Sequence, residues 1–275
     1  MRCTRSHGAH AFHCLVCWPW PGERRRYASM IAILSDIHGN LEALTAVLRD
    51  ASSMNADEII CLGDIVGYGP NPCECLELAM SWNVVTRGNF EQALFESNRE
   101  WPPQLVSMMN RLREKLRLHS NGSQMLSFAK NCPTIFERDR MCFVHGSARE
   151  HLNEYVFPEH VHIPDTMQSI FDEFEHICFC GHTHLPGVFF HNDREWVFQT
   201  PNQFEDIFAI SNSKLLFNVG SVGQPRDEDR RACYALLDDG HVVFRRIDYD
   251  FETTMAKIRD SDDDDMNGTR LPVGR

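Results

Sequence analysis

The sequence predicts an α/β domain over residues 30–255, built from two packed β-sheets with helices on the outside. Three observations support this fold class. The first half of the chain alternates short apolar runs with helical periodicity, which is typical of parallel strands joined by crossovers. The second half contains closely spaced strand-like runs with few helices between them. A helical stretch at residues 91–130 separates the two halves and is predicted to be an insertion.

The first half repeats one plan of strand, loop and helix. Residues 31–34 form an apolar, β-rich run of the kind that a sheet buries on both faces. Asn40 is placed to cap the next helix, in which apolar residues recur at helical spacing. A second strand at 58–62 leads through the loop GDIVGYGPNP to a helix at 73–81, and a third strand is predicted at 83–86. This alternation predicts parallel neighbours in one sheet.

The second half is predicted to consist mostly of strands. Its apolar runs lie too close together for helical crossovers between all of them. The predicted strands cover residues 141–144, 176–180, 187–190, 195–199, 214–219, 232–237 and 241–247. The Asp-Asp-Gly sequence at 238–240 has the composition of a hairpin turn between the last two strands. We therefore expect a second sheet that packs against the first.

Composition and charge restrict the classes of function. The 275 residues carry a formal net charge of -12, which disfavours a nucleic-acid polymer as partner because such binding needs a basic surface. No apolar run approaches the roughly 20 residues that span a bilayer. Several of the 11 cysteines lie within apolar strand-like runs, where free cysteine behaves as a small buried hydrophobe. The expected location is a reducing, cytoplasmic compartment.

The two ends of the chain differ in composition from the middle. Residues 1–29 have no lasting periodicity, and we expect them to be disordered or translated from an early start, with Met30 as the natural first residue. The alternative is a small zinc site formed by Cys14, Cys17 and nearby histidines. Residues 256–275 are predicted to be a disordered acidic tail, because like charges repel and little apolar surface is present.

Seven residues with metal-ligand chemistry follow predicted strand ends, in five short segments that contain glycine. They are Asp36, His38, Asp64, Asn89, His145, His182 and His184. Strand ends of an open α/β sheet deliver side chains into one crevice, so this clustering predicts a site for two divalent metal ions. Asp64 is the candidate bridge, since a carboxylate has two oxygens. The mixture of imidazole and oxygen donors suits Mn, with Fe or Zn as alternatives.

The chemistry expected of two such ions is phosphate ester hydrolysis. They lower the pKa of a bridging water towards neutrality and hold the phosphoryl oxygens as charge develops. Each residue also has a structural alternative. A lone histidine is commonly a hydrogen-bonded core residue, and Asp36 or Asp64 can cap a helix or form a turn. The order and clustering of all seven favour the metal site.

These motifs resemble those of the calcineurin-like metallophosphoesterase superfamily, in particular its small bacterial phosphodiesterase branch. The matching series is Asp36-x-His38, Gly63-Asp64, Gly88-Asn89, His145 and Gly181-His182-x-His184, and the similarity extends over nearly all of residues 30–250, including NVGSVGQPR at 218–226. The resemblance implies a four-layer αββα sandwich of two mixed β-sheets flanked by helices. It also implies that one metal ion takes Asp36, His38, Asp64 and His184, and the other takes Asp64, Asn89, His145 and His182.

One position departs from the family pattern. The family usually has Gly-Asn-His followed by Asp or Glu, and that histidine contacts the phosphoryl group and protonates the leaving group. Here the tetrad is Gly88-Asn89-Phe90-Glu91. Phenylalanine has no proton to donate, and loss of a general acid typically costs about 10²–10⁴ in rate. We therefore expect hydrolysis of phosphodiesters or phosphoanhydrides with good leaving groups, by a hydroxide that bridges two metal ions.

Two alternatives stay open from the sequence. The first is a catalytically weak member of the family that acts as a binding or regulatory protein, which Phe90 favours and the complete ligand set opposes. The second is a phosphomonoesterase or phosphoprotein phosphatase, which the missing acid disfavours. The expected partner is a small phosphodiester or nucleotide-like substrate, with no membrane association, and an oligomer is possible.

Residues outside the ligand set have predicted roles in catalysis or substrate binding. The predicted catalytic residues are Asn89, Asp64 and His145, and the predicted substrate-binding residues are Arg226, Gln224, Arg87 and Phe90. Arg226 and Gln224 belong to the GQPRDEDR loop, which is either a phosphate contact or a solvated turn. Phe90 either stacks on a nucleobase or packs behind the site. Tyr68 is a candidate wall of the pocket or an ordinary surface residue.

Overall fold

The computed structural model describes residues 30–96, 101–238, 240–260 and 265–275, so the predictions for residues 1–29 lie outside the described part of the chain. The strands are β1 Met30–Leu34, β2 Ala56–Cys61, β3 Val84–Val85, β4 Ile135–Arg138, β5 Met141–Val144, β6 Ile177–Cys180, β7 Gly187–His191, β8 Trp196–Gln199, β9 Ile207–Ala209, β10 Leu215–Asn218, β11 Ala232–Asp238 and β12 His241–Ile247. The helices are α1 Leu41–Ser53, α2 Pro72–Ala79, α3 Asn89–Ala93, α4 Pro103–Leu118, α5 Gly122–Asn131, α6 Pro164–Asp172, α7 Phe251–Asp260 and α8 Asp265–Arg270. Short 3₁₀ helices cover Pro158–His162, Pro201–Phe204 and Leu271–Val273.

The strands form two mixed, six-stranded sheets. The first has the order β3-β2-β1-β11-β12-β9, in which β1, β2 and β3 are parallel and the remaining pairs are antiparallel. The second has the order β4-β5-β6-β10-β7-β8, in which β5, β6 and β10 are parallel. The predicted pair of mixed sheets is confirmed. Because of this arrangement, several parallel strands end at the same edge of each sheet, where the sequence predicts the metal site.

Alternation along the central strands divides their apolar side chains between two faces. Ile31 and Ile33 of β1 face the second sheet and belong to one buried cluster with Phe143 of β5. Ala32 and Leu34, between and after them, belong instead to the cluster under α1 and α2. This period of two is the strand geometry that the continuous apolar run predicted. Each large apolar side chain buried in these layers contributes roughly 1.5–3 kcal/mol to folding.

A third cluster covers the outer face of the second sheet. Cys142 and Val144 of β5 pack there against Met167, Ile170 and Phe171 of α6. The order of layers is therefore helices, sheet, sheet and helix. The four-layer αββα sandwich that the family resemblance implied is confirmed.

The predicted helical insertion is also present. Within residues 91–130, α4 and α5 bury their apolar faces in the cluster that contains α2. The buried residues are Met109, Leu112, Leu116, Met125 and Ala129. With 16 residues α4 is the longest described helix, and none of the described helices combines the length and the apolar character that a membrane crossing demands.

Before the C-terminal segment, two strands and one α-helix were not predicted from the sequence. β4 and β9 are edge strands, one at each sheet, and their short sequences IFER and IFA give little alternation to detect. α6 has a clearer signal, since Met167, Ile170 and Phe171 recur at helical spacing. The predicted hairpin between β11 and β12 is present through the Asp238 and His241 pairing, although residue 239 lies outside the described part.

The C-terminal segment differs from the disordered tail predicted for residues 256–275. α7 continues to residue 260, α8 follows, and both Ile258 and Leu271 are buried. The Thr254 hydroxyl donates to Asn40 Oδ1 at 3.1 Å, which ties α7 to the start of α1. The prediction failed because the acidic composition concealed two well-spaced apolar residues. Packing therefore continues past the predicted boundary at residue 255.

Candidate metal centre

The seven predicted ligands lie just beyond the carboxyl ends of five strands. In the first sheet Asp36 and His38 follow β1, Asp64 follows β2, and Asn89 follows β3; in the second sheet His145 follows β5, and His182 and His184 follow β6. The first three strands are mutually parallel, as are β5 and β6. Their side chains therefore emerge at shared sheet edges, the usual position of ligand sites in α/β folds. All seven are buried except Asn89, which is half-buried.

Five of these residues have a backbone conformation that L-amino acids rarely adopt. The φ angle is +54° at Asp36, +50° at His38, +52° at Asp64, +65° at His182 and +61° at His184. Each left-handed residue costs roughly 1–2 kcal/mol, and such residues cluster at functional sites. Hydrogen bonds between neighbouring loops stabilise this strained backbone conformation. One of them runs from the His38 N–H to the Asp64 carbonyl oxygen at 2.8 Å.

Asp36, His38 and His184 form the first group of donor atoms. His184 Nε2 lies 3.1 Å from Asp36 Oδ1, and His38 Nε2 lies 3.7 Å from the same oxygen. The two imidazole nitrogens are 3.2 Å apart. Two nitrogens and one carboxylate oxygen thus surround a single point, as the ligands of a divalent cation do.

Asp64, His145 and His182 form the second group of donor atoms. His145 Nε2 lies 3.3 Å from Asp64 Oδ2 and 3.1 Å from His182 Nδ1. Asn89 Oδ1 lies 2.9 Å from the same His145 nitrogen, so the half-buried amide joins this group. The structure therefore brings all seven predicted residues into the two sets that the family resemblance implied.

Asp64 occupies the position between the two groups. Its Oδ1 accepts a hydrogen bond from the Phe90 N–H at 2.8 Å, which fixes the orientation of the carboxylate. Its Oδ2 lies 3.3 Å from His145 Nε2 and 3.8 Å from His38 Nε2, so one oxygen faces both groups. Asp64 thus presents one oxygen towards both groups, and its role as a bridge stays a prediction. Gly88 permits this approach, because a Cβ at residue 88 would collide with the Asp64 carboxylate.

The donor set fits divalent metal ions. Asp36 Oδ1 is buried and has no hydrogen-bond donor among the described residues, which is costly for a carboxylate without a cation. One ring nitrogen of each histidine lies within hydrogen-bond distance of a backbone carbonyl oxygen. The pairs are His38 with Val66 (3.2 Å), His145 with Leu62 (3.1 Å), His184 with Gln224 (2.5 Å) and His182 with Asn153 (3.2 Å). A carbonyl only accepts, so that nitrogen carries the proton and the other presents its lone pair to the donor group.

Electrostatic coupling sets the protonation of these groups. Burial would raise the pKa of Asp36, but His184 and His145 hold it well below its usual range. Burial lowers the pKa of His182 to about 3, and the neighbouring His145 adds to this. Burial also acts against the charge on His145, yet Asp64 and Asp36 raise its pKa to about 9. Cation binding must displace the proton on His145 and is therefore expected to weaken as the pH falls.

Both donor groups open into a cavity of about 430 Å³. Five of the seven candidate ligands form its floor, namely His38, Asp64, Asn89, His182 and His184. Its walls come from α3, the start of α4, the loop around residues 152–155 and Arg226. A volume of this size suits a small organic ligand. The wall residues are Tyr68, Phe90, Gln92, Ala93, Glu96, Trp101, Leu105, Leu152, Asn153, Tyr155 and Arg226.

Comparison with known proteins assigns this arrangement to a family. The family model of the calcineurin-like phosphoesterase superfamily domain matches residues 30–240. The chain belongs to the calcineurin-like phosphoesterase superfamily. Members of this family typically bind two metal ions, and the two donor groups of this phosphoesterase are candidate sites for them. The superfamily predicted from the motifs is confirmed.

Relatives of this phosphoesterase match over nearly their full length. An uncharacterised protein of Methanocaldococcus jannaschii is 33% identical over 256 residues, which is 90% of this chain and 99% of the relative. The crystal structure of a metallophosphoesterase from Sphaerobacter thermophilus is 32% identical with a TM-score of 0.78, covering 90% of this chain and 99% of that one. A hypothetical protein from Pyrococcus horikoshii, 20% identical with a TM-score of 0.70 and coverages of 90% and 98%, shares the fold.

Arg226 and Gln224, the two predicted substrate-binding residues of the GQPRDEDR loop, lie in different positions relative to the cavity. Arg226 lines the cavity of the phosphoesterase, and its Nη2 donates to Gln224 Oε1 at 2.9 Å. Gln224 is buried, and its backbone carbonyl accepts the His184 Nδ1–H. The cationic side chain of Arg226 thus faces the same cavity as five of the candidate ligands. Gln224 lies behind Arg226 and His184 and is better placed to position them than to contact substrate, contrary to its predicted role.

Arg87 also differs from its predicted role. Its Nη1 donates to Gln92 Oε1 at 2.8 Å, and its Nη2 donates to the carbonyl of Lys130 at the end of α5. Its backbone N–H donates to the Pro133 carbonyl at 2.7 Å. The guanidinium is therefore directed at α5 and does not line the cavity. Its contacts join α3 to the helical insertion instead of holding a substrate phosphate.

Phe90 lies at the cavity but is mostly covered by packing. Its side chain is 6% exposed and stands edge-on to the imidazole of His38, with ring centroids 5.1 Å apart. The ring of Tyr68 packs against it at 4.9 Å. Of the two interpretations from the sequence, this geometry favours packing beside the site over stacking on a nucleobase.

Glu91 is a functional residue that sequence reasoning did not assign. Its buried carboxylate accepts backbone N–H groups from Asp64 (2.7 Å), Ile65 (2.9 Å), Val66 (3.1 Å) and Gly88 (3.0 Å). It thereby joins the loop after β2 to the loop after β3. Burial, with the Asp64 carboxylate adding to it, raises the pKa of Glu91 to about 7. The available signal was its place in the Gly-Asn-Phe-Glu tetrad.

Replacing Glu91 with glutamine should destabilise the protein by about 2–3 kcal/mol, because an amide NH₂ would face backbone donors that now meet an oxygen. Metal affinity should fall about 10- to 100-fold, as when other groups behind metal ligands are changed. Urea denaturation and metal titration measure the two effects. Glu173→Gln, at an exposed residue, is the control. Unchanged stability and affinity would mean that this carboxylate does not hold the two loops.

Proposed function

We propose that this protein is a dinuclear-metal-dependent phosphoesterase that hydrolyses phosphodiester or phosphoanhydride bonds of small substrates. The observation that carries the proposal is the shared oxygen. Asp64 Oδ2 faces both donor groups at the floor of the 430 Å³ cavity. A bridging carboxylate between two adjacent cation sites is the arrangement that two-metal hydrolysis requires.

The proposed cofactors are two divalent metal ions. One would be held by Asp36, His38, Asp64 and His184, and the other by Asp64, Asn89, His145 and His182. Mixed imidazole and oxygen donors favour Mn, with Fe or Zn as the alternatives. When bound, such ions activate water at neutral pH and stabilise charge on the phosphoryl oxygens.

The side chains of the protein supply position and hydrogen bonds. Asp64 keeps its orientation through the Phe90 N–H, and His145 keeps its tautomer through the Leu62 carbonyl. Asn89 lines the cavity beside His145, so its amide NH₂ is available to a phosphoryl oxygen. Arg226 adds the positive charge at the wall. We propose that Asp64 and His145 hold the cations, and that Asn89 and Arg226 contact the reacting phosphate.

The preference for diesters and anhydrides rests on Phe90. Its ring faces the cavity next to His38 and has no proton to give to a departing oxygen. Poor leaving groups depend most on such a proton, whereas aryl and phosphate leaving groups depart without it. We therefore propose a phosphodiesterase in preference to a phosphomonoesterase or phosphoprotein phosphatase.

The proposed setting is the cytoplasm, with no nucleic-acid polymer as substrate. The described free cysteines are all buried, as expected for a reducing compartment. The net charge of -12 disfavours a polyanion, while bound cations would reverse the local field for a small phosphate ester.

The test compares hydrolysis of an aryl phosphodiester, bis(p-nitrophenyl) phosphate, with that of an alkyl phosphomonoester, glycerol 2-phosphate, by Mn-loaded protein, with Asp64→Ala as the blank. We expect the diester to be the better substrate by kcat/KM, and the blank to be inactive on both. Equal rates for protein and blank would remove the enzyme proposal and favour the binding or regulatory alternative. A preference for the monoester would favour the phosphatase alternative.

A further inference from the structure

Two tyrosines stand against the two donor groups of the candidate metal centre. The ring of Tyr68 lies 4.6 Å from that of His38, which belongs to the first group. The ring of Tyr155 lies 3.8 Å from that of His182, in the second group, and the two planes are within 17° of parallel. Both tyrosines line the cavity. Each donor group therefore has one phenol packed against a histidine at its margin.

Packing fixes each phenol ring in place. Tyr68 is held between His38 and Phe90, whose ring centroid is 4.9 Å away. Tyr155 is held between His182 and Phe157, the latter at 5.2 Å and within 9° of parallel. Ring packing orients a tyrosine without using its hydroxyl. Both residues line the cavity, and the Tyr68 side chain also has a hydrogen bond with Arg226.

Arg226 lies close to the phenol of Tyr68 and lines the same cavity as Tyr155. Its Cζ is 5.9 Å from the ring centroid of Tyr68. Gln224 accepts one N–H of the guanidinium, while Arg226 Nε is buried and has no partner among the described residues. The guanidinium is thus oriented from behind and retains donor capacity.

Two of the other wall residues offer no free donor beside the histidines. Phe90 has none, and the amide of Gln92 is already paired with Arg87 and Glu96. Among the residues lining this cavity in the described part of the chain, Arg226 is the one Lys or Arg side chain. The wall therefore combines one cation with two neutral hydroxyls, in addition to the amides of Asn89 and Asn153.

We infer that Tyr68, Arg226 and Tyr155 form a clamp that hydrogen-bonds the oxygens of a singly charged phosphodiester and so determines which ester the site accepts. This inference rests on the proposed function, because it assigns the clamp to the substrate of the same site. Arg226 matches the single negative charge of a diester, and the two phenols add donors without adding charge. Tyr68 provides the hydroxyl that Phe90, its packing partner, lacks.

The experiment removes each hydroxyl while keeping each ring. Tyr68→Phe and Tyr155→Phe retain the packing against His38 and His182, and Tyr249→Phe, outside the cavity, is the matched control. Binding of dimethyl phosphate to Mn-loaded protein is measured by calorimetry, and kcat and KM are measured on bis(p-nitrophenyl) phosphate. Each of the two variants should lose about tenfold in dimethyl phosphate affinity, the size of one hydrogen bond to a charged acceptor. Metal content should stay unchanged in all variants.

The outcomes separate the clamp from the proposed function. Tyrosine-dependent binding of dimethyl phosphate without turnover of any ester would support the clamp and contradict the proposed hydrolysis. Turnover of the diester with wild-type affinity and rate in both variants would overturn the clamp and leave the hydrolysis intact. Loss of affinity accompanied by loss of metal would also overturn it, because the tyrosines would then support the ligands and not the substrate.

Discussion

Replacing Asp64 with asparagine should abolish most of the hydrolytic activity, lowering kcat on a phosphodiester by about 10³-fold or more. The substitution retains the volume of the side chain and an oxygen that can accept the Phe90 N–H. It removes the charge of Oδ2, the atom that faces both donor groups. Two-metal sites contribute several kcal/mol to the stabilisation of the transition state, and about 4 kcal/mol corresponds to 10³ in rate.

Metal stoichiometry gives this prediction a second readout. The wild-type protein should bind two Mn ions, and Asp64→Asn should bind no more than one tightly, as measured by equilibrium dialysis with mass spectrometry of the metal. Asp165→Asn, at an exposed aspartate in the first turn of α6, is the control and should behave as wild type. Two tightly bound ions in Asp64→Asn would show that this carboxylate is not the bridge.

Replacing Phe90 with histidine should raise turnover of alkyl phosphomonoesters, whose leaving groups need a proton, by about 10²-fold, the lower end of what a general acid contributes. The ring at this position lines the cavity and lies 5.1 Å from that of His38, so an imidazole there would stand beside the reacting phosphate. Turnover of aryl phosphodiesters should change little, since their leaving groups depart without a proton. The ratio of monoester to diester kcat/KM is the quantity to measure.

Phe90→Leu is the matched control for that experiment. It removes the aromatic ring and the packing against Tyr68 without adding a donor, so it separates proton donation from loosening of the cavity wall. The monoester rate of Phe90→Leu should stay at or below that of the wild type. An equal rise in the leucine and histidine variants would contradict the missing-acid explanation of the diester preference.

The sequence predicted the features that depend on period and on strand ends. The continuous apolar runs at β1 and β6 identified buried parallel strands. Residues just past a strand end, such as Asp36 and His182, were therefore expected at the shared edge of the sheets. The edge strands β4 and β9 were not predicted, because so short a strand shows little alternation of apolar and polar residues. The C-terminal helices α7 and α8 were not predicted, because the buried residues Ile258 and Leu271 lie within an acidic sequence.

The second layer of the site was harder to predict than the ligands. Arg87 follows β3, two residues before the candidate ligand Asn89. Its guanidinium nevertheless donates to the Lys130 carbonyl, and no local sequence pattern indicates this contact. Tyr155 reaches His182 from a loop 27 positions earlier in the chain, a contact that only tertiary structure reveals. Side-chain direction in loops depends on neighbours remote in sequence. The clustering of the candidate ligands was therefore predictable from the sequence, and the side chains around them were not.

The left-handed backbone at the candidate ligands sets folding stability against cation binding. At Asp36 or His184, for example, glycine would relieve the strain and make folding more favourable, but it would leave nothing to hold a cation. Stability and the proposed activity therefore favour different residues at the same five positions. The strain is part of the candidate site, because the residue that would remove it is one that cannot bind a cation.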